Sequence, residues 1–369
     1  MENSIQKNKN IFNWVNQTKG LAILAIVIFH FFQNYPERIQ LILSLDRNMA
    51  RLGYAAVDIF FVMAGFNTSY SISYKSIKVQ WNSWLIKRLI RLYPGYLLAV
   101  VCTCFLYYFG GLFKFKLTLK FFLSILGLAG IKLQVINPGF WFFTVILEIY
   151  IFTGFIFWLC QNKPSRILLL GIIGGVLTKI LSLFFLIQND TSNYLFFLQN
   201  NFLGSYLFQF CLGLYWGFIY AKYQSFRKID FVLAINIFSL GFIAYSVLAI
   251  THVNIIYMLG FDMLFTPFFF LGIQTLLFRL DNNLKTKPFL NIIGILGIYS
   301  YQIYLIHQPL YFVTFHKLNQ YIQCNSYLKI IFFLLILSIS LSMYVILFIK
   351  LEQLIIKKLT SVLTSLNKV

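Results

Sequence analysis

Residues 330–349, IIFFLLILSISLSMYVILFI, run between Lys329 and Lys350 without a charged side chain. At about 1.5 Å per residue such a helix is about 30 Å long, the thickness of the hydrocarbon core of a bilayer. A soluble domain would have to cover this stretch on all sides, and the chain has little to cover it with. Of its 369 residues 60% are hydrophobic, 20% aromatic and only 11% charged, whereas folded soluble domains of this size keep a largely charged surface. Lipid must be the solvent for most of the protein.

Working outward from that run (328–350 with its flanks), comparable apolar stretches fall at 12–34, 53–73, 92–110, 140–160, 167–188, 200–221, 230–250, 255–279 and 290–315. The fold class expected is all-α: a polytopic integral membrane protein of about ten transmembrane helices, forming one domain over residues 1–369. The first ten residues are polar and no small-residue cleavage site follows the first run, so that run is expected to be a retained anchor and not a removable signal. Leu117 to Ile131 is apolar but short, which suits a re-entrant or interfacial piece as well as a span. Charge decides the parity. With both termini cytoplasmic, most lysines and arginines fall inside, among them Lys75, Lys78, Lys87, Arg88, Arg91, Arg227, Lys285 and Lys357. Making Leu117 to Ile131 a full crossing would put one basic group of loops outside, against the positive-inside bias.

The net charge of +20 does not point to nucleic acid, because no soluble basic domain, zinc spacing or aromatic-basic sheet motif accompanies it. Of the five cysteines, Cys102, Cys104, Cys160 and Cys211 lie in apolar runs and Cys324 outside them. They imply neither a disulfide framework nor a metal site. The Asn-rich piece from Gln188 to Asn201 reads as an external loop.

An ionisable side chain at the centre of a span costs at least ~2.5 kcal/mol, so each is a functional candidate. The set is His30, Asp58, Glu148, Lys179, Asp262 and His307, with Lys19, Arg88 and Arg91 near cytoplasmic helix ends. Lys19 and His30 lie about 20° apart around a helix and ~16 Å apart along it, so they share one face at two depths. Lys19 is also placed to snorkel, and His30 to bond a carbonyl of a neighbouring helix. Asp58, at a depth close to that of His30, could fix the tautomer of an imidazole, or it could pair with Arg51. Glu148 and Asp262 are both deep, and Lys179 could neutralise either one. Arg88 and Arg91, at i and i+3 ahead of Pro94, place two guanidinium groups on one face, which suits phosphate as well as positive-inside anchoring.

Five stretches fall in one order: TKGLAILAIVIFH (18–30), AAVDIFFVMAGF from Ala55, KRLIRLYPGY from Lys87, FWFFTVILEIY from Phe140 and GIYSYQIYLIHQPL from Gly297. From Asn13 to Pro309 this order resembles the acyltransferase-3 family of membrane acyltransferases. The resemblance maps the family's first-span basic residue and histidine onto Lys19 and His30, with Lys for the commoner Arg. Its R-x-x-R element maps onto Arg88 and Arg91, and its tryptophan followed by an acidic residue onto Trp141 and Glu148. Its S-Y-x-x-Y-L-x-H-x-P maps onto Ser300 to Pro309, with Tyr301, Tyr304, His307 and Pro309 in register. In the second span Asp58, Phe60, Phe61, Gly65 and Phe66 match, while Ala56 and Ala64 replace a glycine and a serine.

The resemblance implies O-acylation, often O-acetylation, of a carbohydrate or other hydroxyl acceptor. Acyl-CoA, acetyl-CoA above all, would serve as cytoplasmic co-substrate, with no permanently bound cofactor. Depth, chemistry and resemblance together assign His30, Asp58 and Glu148 to catalysis, with His307 the rival base, Lys19, Arg88 and Arg91 to the donor, and Trp141, Tyr301 and His307 to the acceptor or pocket. The setting expected is a bacterial cytoplasmic membrane, with the bilayer and a glycan acceptor as partners and no nucleic acid. The competing reading is a proton-coupled transporter or flippase, in which the buried His, Asp and Glu would relay protons.

Overall fold

The computed structural model describes residues 2–75, 79–113, 116–131, 133–198, 202–250, 261–281, 283–322 and 325–366, and every regular element among them is helical. The helices are α1 Glu2–Asn34, α2 Gln40–Lys75, α3 Trp81–Gly110, α4 Leu119–Ile125, α5 Trp141–Leu159, α6 Pro164–Ile187, α7 Thr191–Leu198, α8 Leu207–Tyr223, α9 Lys228–Ile250, α10 Phe261–Asp281, α11 Lys287–Ile298, α12 Ser300–Tyr321 and α13 Ser326–Leu366. Hydrocarbon offers the backbone no partners, so a spanning segment must satisfy its N–H and C=O groups within itself, as a helix does.

Among the described residues eight helices are long and apolar enough to cross a membrane, or nine if α11 and α12, broken at Tyr299, count as one bent span. The run expected at 200–221 is a 3-10 turn, Leu203–Tyr206, followed by the 17 residues of α8, at the short limit for crossing. The ambiguous stretch from Leu117 to Ile131 contains only α4, seven residues long, which cannot cross. It is held down by tyrosines of α3: the Tyr93 hydroxyl donates to the Leu126 carbonyl at 2.7 Å and that of Tyr96 to the Ser124 carbonyl. The Tyr96 ring stacks on Phe143 at 3.9 Å.

The chain divides into two compact units. The first comprises residues 1–23, 54–80 and 144–298, the second 24–53, 81–143 and 299–369. In the first, α2 and α8 meet through glycines. A Cβ added at Gly65 would stand 2.1 Å from the Phe210 carbonyl oxygen, one at Gly213 2.0 Å from that of Val62, and one at Gly217 2.4 Å from that of Phe66. Lipid tails are as apolar as leucine, so helices in a bilayer gain little by hiding apolar surface from each other and associate through close backbone approach. The motif stretch AAVDIFFVMAGF therefore places its glycine at the seam.

In the second unit an aromatic cluster joins the ends of four helices. Phe31 and Tyr35 pack with Ile42, Tyr311, Phe315, Ile330, Phe333 and Leu337. Ring pairs of this kind contribute about 0.5–1.5 kcal/mol each beyond their burial. A Cβ at Gly53 would lie 2.5 Å from the Phe29 ring, so α2 also approaches α1 where it has no side chain. Phe29 and Phe31 thus fix the rotation of α1 on either side of His30.

Candidate active site

The second unit holds the site that these contacts position. His30 Nδ1 lies 2.7 Å from His307 Nε2, and the two rings are nearly parallel, 13° apart. His307 is wholly buried. Its other nitrogen, Nδ1, faces the carbonyl oxygens of Ile303 at 3.0 Å and Tyr304 at 2.8 Å, one turn back on α12.

The tautomers follow from these partners. A carbonyl oxygen can only accept, so His307 Nδ1 carries the hydrogen. A neutral imidazole has one N–H, so His307 Nε2 is the acceptor and His30 Nδ1 must donate to it. The proton-free nitrogen of the pair is then His30 Nε2. Charging either ring with no carboxylate against it among the described residues is costly, which favours the neutral arrangement. The helix carbonyls thus orient His307, His307 orients His30, and His30 is left with a basic nitrogen.

Around the pair, α12 is tied to the start of α5. Gln308, 6% exposed, accepts the Gly139 N–H on Oε1 at 2.9 Å, and the Tyr304 ring packs on Phe142 at 4.8 Å. Trp141 is buried beside Phe142. The Tyr301 hydroxyl donates to the Leu92 carbonyl at 2.9 Å, two residues before Pro94 of α3. At the far ends of α1 and α12 opens a pocket of about 430 Å³ lined by Asn34, Phe312, Phe315, His316, Asn319 and Gln320. Asn34 links it to the pair, its Nδ2 donating to the His30 carbonyl at 2.7 Å.

Arg88 and Arg91 project from the first turns of α3. Arg88 is half-buried with its guanidinium over the Trp84 ring at 5.3 Å, and Arg91 is exposed. A residue absent from the sequence-derived set lies near them. Glu352 of α13 is 4% exposed, accepts from Gln302 Nε2 at 2.8 Å and feels the Arg91 charge. The last apolar run in the sequence stops at Lys350, two residues short of it. Only the continued apolar pattern of Leu351, Leu354 and Ile355 signalled that the helix goes on.

The other candidates belong to the first unit. Asp58 is buried and accepts from Gln209 Nε2 at 3.1 Å and Thr266 Oγ1 at 3.2 Å. Glu148 is half-buried and accepts the Leu203 N–H at 2.7 Å, a backbone donor at the turn before α8. Lys19 and Lys179 are half-buried. The side chains of Arg51 and Asp262, and all of His252, Asn282 and Cys324, lie outside the described residues. The four described cysteines carry free thiols.

Helices long and apolar enough to span a membrane, with a hydrogen-bonded histidine pair among them, define a class: polytopic integral membrane proteins that keep ionisable groups within their helices. The acyltransferase-3 family, described as an acyltransferase domain, matches residues 12–347, and the chain belongs to it. No curated protein and no solved structure matches. The protein is accordingly a membrane acyltransferase, and the transporter reading is set aside.

Proposed function

We propose that this enzyme moves an acyl group, acetyl in the simplest case, from cytoplasmic acyl-CoA to a hydroxyl of a carbohydrate or glycan acceptor at the outer face of a bacterial cytoplasmic membrane. The observation that carries this reading is the His30–His307 pair. A hydroxyl is a poor nucleophile near pH 7, and general base catalysis contributes about 10² to 10⁴ in rate. His30 Nε2 takes the hydroxyl proton as the oxygen attacks the thioester carbonyl carbon. The C–S bond then breaks, the thiolate receives that proton from the imidazolium, and ester and free CoA leave. His307 holds the tautomer throughout.

Arg88 and Arg91, one turn apart, suit the CoA phosphates, with Lys19 a further cation of the cytoplasmic half. Asp58 and Glu148 are the carboxylates we assign to support the reaction. Trp141 and Tyr301 line the route of the substrates. The pocket beyond His30 offers phenylalanine faces and amides in one wall, the combination that apolar sugar faces and sugar hydroxyls use, and it supports acceptor approach from the ends of α1 and α12.

The test uses the full chain in detergent or nanodiscs. Acetyl-CoA is supplied with a panel of glycans and lipid-linked sugars, and free thiol and acceptor ester are both measured. CoA release that depends on one acceptor, with ester formed in equal amount, is the expected result. Absence of transfer from any acyl-CoA to any hydroxyl acceptor would overturn the reading.

A further inference from the structure

Within the first unit, α9 and α10 lie side by side but close on each other along only part of their seam. A Cβ added at Gly241 would stand 2.9 Å from Leu264 Cβ, and the Phe238 and Phe268 rings lie 4.3 Å apart. Past Phe268 the seam opens into a cleft of about 300 Å³ whose walls include Phe231 and Ile235 of α9 and Gly272, Thr275, Leu276 and Arg279 of α10. Gly272 makes part of the opening, since a Cβ there would meet nothing within 4 Å. The Thr275 hydroxyl is turned back onto the Leu271 carbonyl at 2.8 Å, so the walls below Arg279 are apolar.

The register of the pair gives the cleft its length. Contacts move backward along α9 as they move forward along α10, from Gly241 with Leu264 to Phe238 with Phe268, so the helices are antiparallel. Lys228, the first residue of α9, therefore stands level with Arg279 in the last turn of α10. Seven residues separate it from Ile235, about 20° around the helix, which puts it on the cleft face. At 1.5 Å per residue the two cations lie about 15 Å from the closed point at Phe238 and Phe268, half of a ~30 Å hydrocarbon core. Both are exposed, and among the described residues neither makes a hydrogen bond or an ion pair. The acids nearby are engaged elsewhere: Asp230 is paired with Arg227 at 2.9 Å, and Asp281 accepts from Gln17 Nε2 at 3.2 Å.

We propose that this cleft binds an anionic glycerophospholipid, with one acyl chain against Gly272 and Leu276 and the headgroup phosphate between Lys228 and Arg279. An apolar wall one leaflet deep, ending in two cations at one level, matches a lipid chain and its headgroup in both length and charge. A partner helix or a second copy of the chain would need a seat across the whole core, and this one stops halfway. A free phosphate would have no use for the apolar walls. The inference stands apart from the acyl-transfer reading.

The test uses the full chain, stripped of lipid in a neutral detergent and titrated with phosphatidylglycerol or phosphatidylcholine of identical chains, the bound lipid being counted by native mass spectrometry. Each cation near an anionic headgroup is worth about fivefold in affinity, so the tightest site of the wild type should prefer phosphatidylglycerol by about 25-fold. Lys228→Gln and Arg279→Gln should each lose about fivefold for that lipid and keep their affinity for phosphatidylcholine. Gly272→Leu puts a side chain into the cleft where a Cβ has open space, and leucine favours a helix over glycine. It should therefore keep the wild-type melting temperature and bind both lipids at least about fivefold more weakly. Equal wild-type affinities for the two lipids would overturn the proposal, as would unchanged phosphatidylglycerol binding in all three variants. So would displacement of the lipid by inorganic phosphate alone, or a Gly272→Leu protein that loses a dimer and keeps its lipid.

Discussion

Replacing His307 with alanine separates the two histidines more sharply than any change at His30. The substitution leaves the base in place but removes the acceptor 2.7 Å from His30 Nδ1. The Nδ1–H then loses its partner at a half-buried position, a loss of about 1–3 kcal/mol. Alternatively the ring flips or changes tautomer and puts its hydrogen on Nε2, where it cannot act as base. At 1.36 kcal/mol per factor of ten, kcat should fall by about 5- to 150-fold with a measurable rate remaining. His30→Ala removes the base itself and should cost about 10² to 10⁴, without preventing membrane insertion or acyl-CoA binding. The double variant should be no slower than His30→Ala alone, because a positioning residue has nothing left to position. Single-turnover transfer at saturating acetyl-CoA, with thiol and ester both quantified, gives the three rates free of product release. The reasoning is refuted if His30→Ala keeps more than about a tenth of wild-type turnover, or if His307→Ala is the more damaging of the two.

Arg88→Ala and Arg91→Ala should each raise the acyl-CoA KM by at least tenfold, since a charge-assisted contact to phosphate is worth roughly 1.5 to 3 kcal/mol; an unchanged KM in both would leave them only a topological role. Gly213→Ala forces a methyl against the Val62 carbonyl oxygen and should lower stability by about 1–3 kcal/mol, read as a reduced melting temperature in detergent. Cysteines placed at Asn193 and Asn283 should label from outside and inside respectively, and labelling of both from one side would exclude termini in the cytoplasm with the present span order. The Lys329 ammonium, 2.5 Å from the carboxylate of Glu37, holds that acid below its ordinary range. A carboxylate so depressed contributes stability that is complete above about pH 4.3 and is lost as the pH falls through its folded value. Glu37→Gln should therefore flatten the acid limb of a melting-temperature profile, and an unchanged limb would count against the pair.

The membrane fold was legible because hydrocarbon imposes a length and a composition, and runs such as 330–349 satisfy both without reference to any distant residue. The α4 region stayed open between crossing and re-entry because its apolar content suits either. Its end is set at Gly127, whose φ of +71° closes the last turn, and the bonds from Tyr93 and Tyr96 that dock it on α3 are not shown by spacing. His30 stood out as an ionisable group at membrane depth, but its partner lies 277 positions away, and nothing in either segment states which polar residue of another helix it will meet. Gln209 and Thr266, which bind Asp58, were invisible for the same reason.

One consequence of the His307 geometry concerns the energised membrane itself. A line of exchangeable groups through a bilayer is a proton leak, and an enzyme that places a base at such depth risks draining the gradient that its cell maintains. Here the line stops. Beyond His30 and His307 come the carbonyl oxygens of Ile303 and Tyr304, which accept a hydrogen bond but hold no proton to pass on. Among the described residues, a proton passed from His30 to His307 meets carbonyl oxygens at His307 Nδ1. With His30 as the proposed base, the pair holds one proton for the length of a reaction cycle and offers it no route onward through His307 Nδ1.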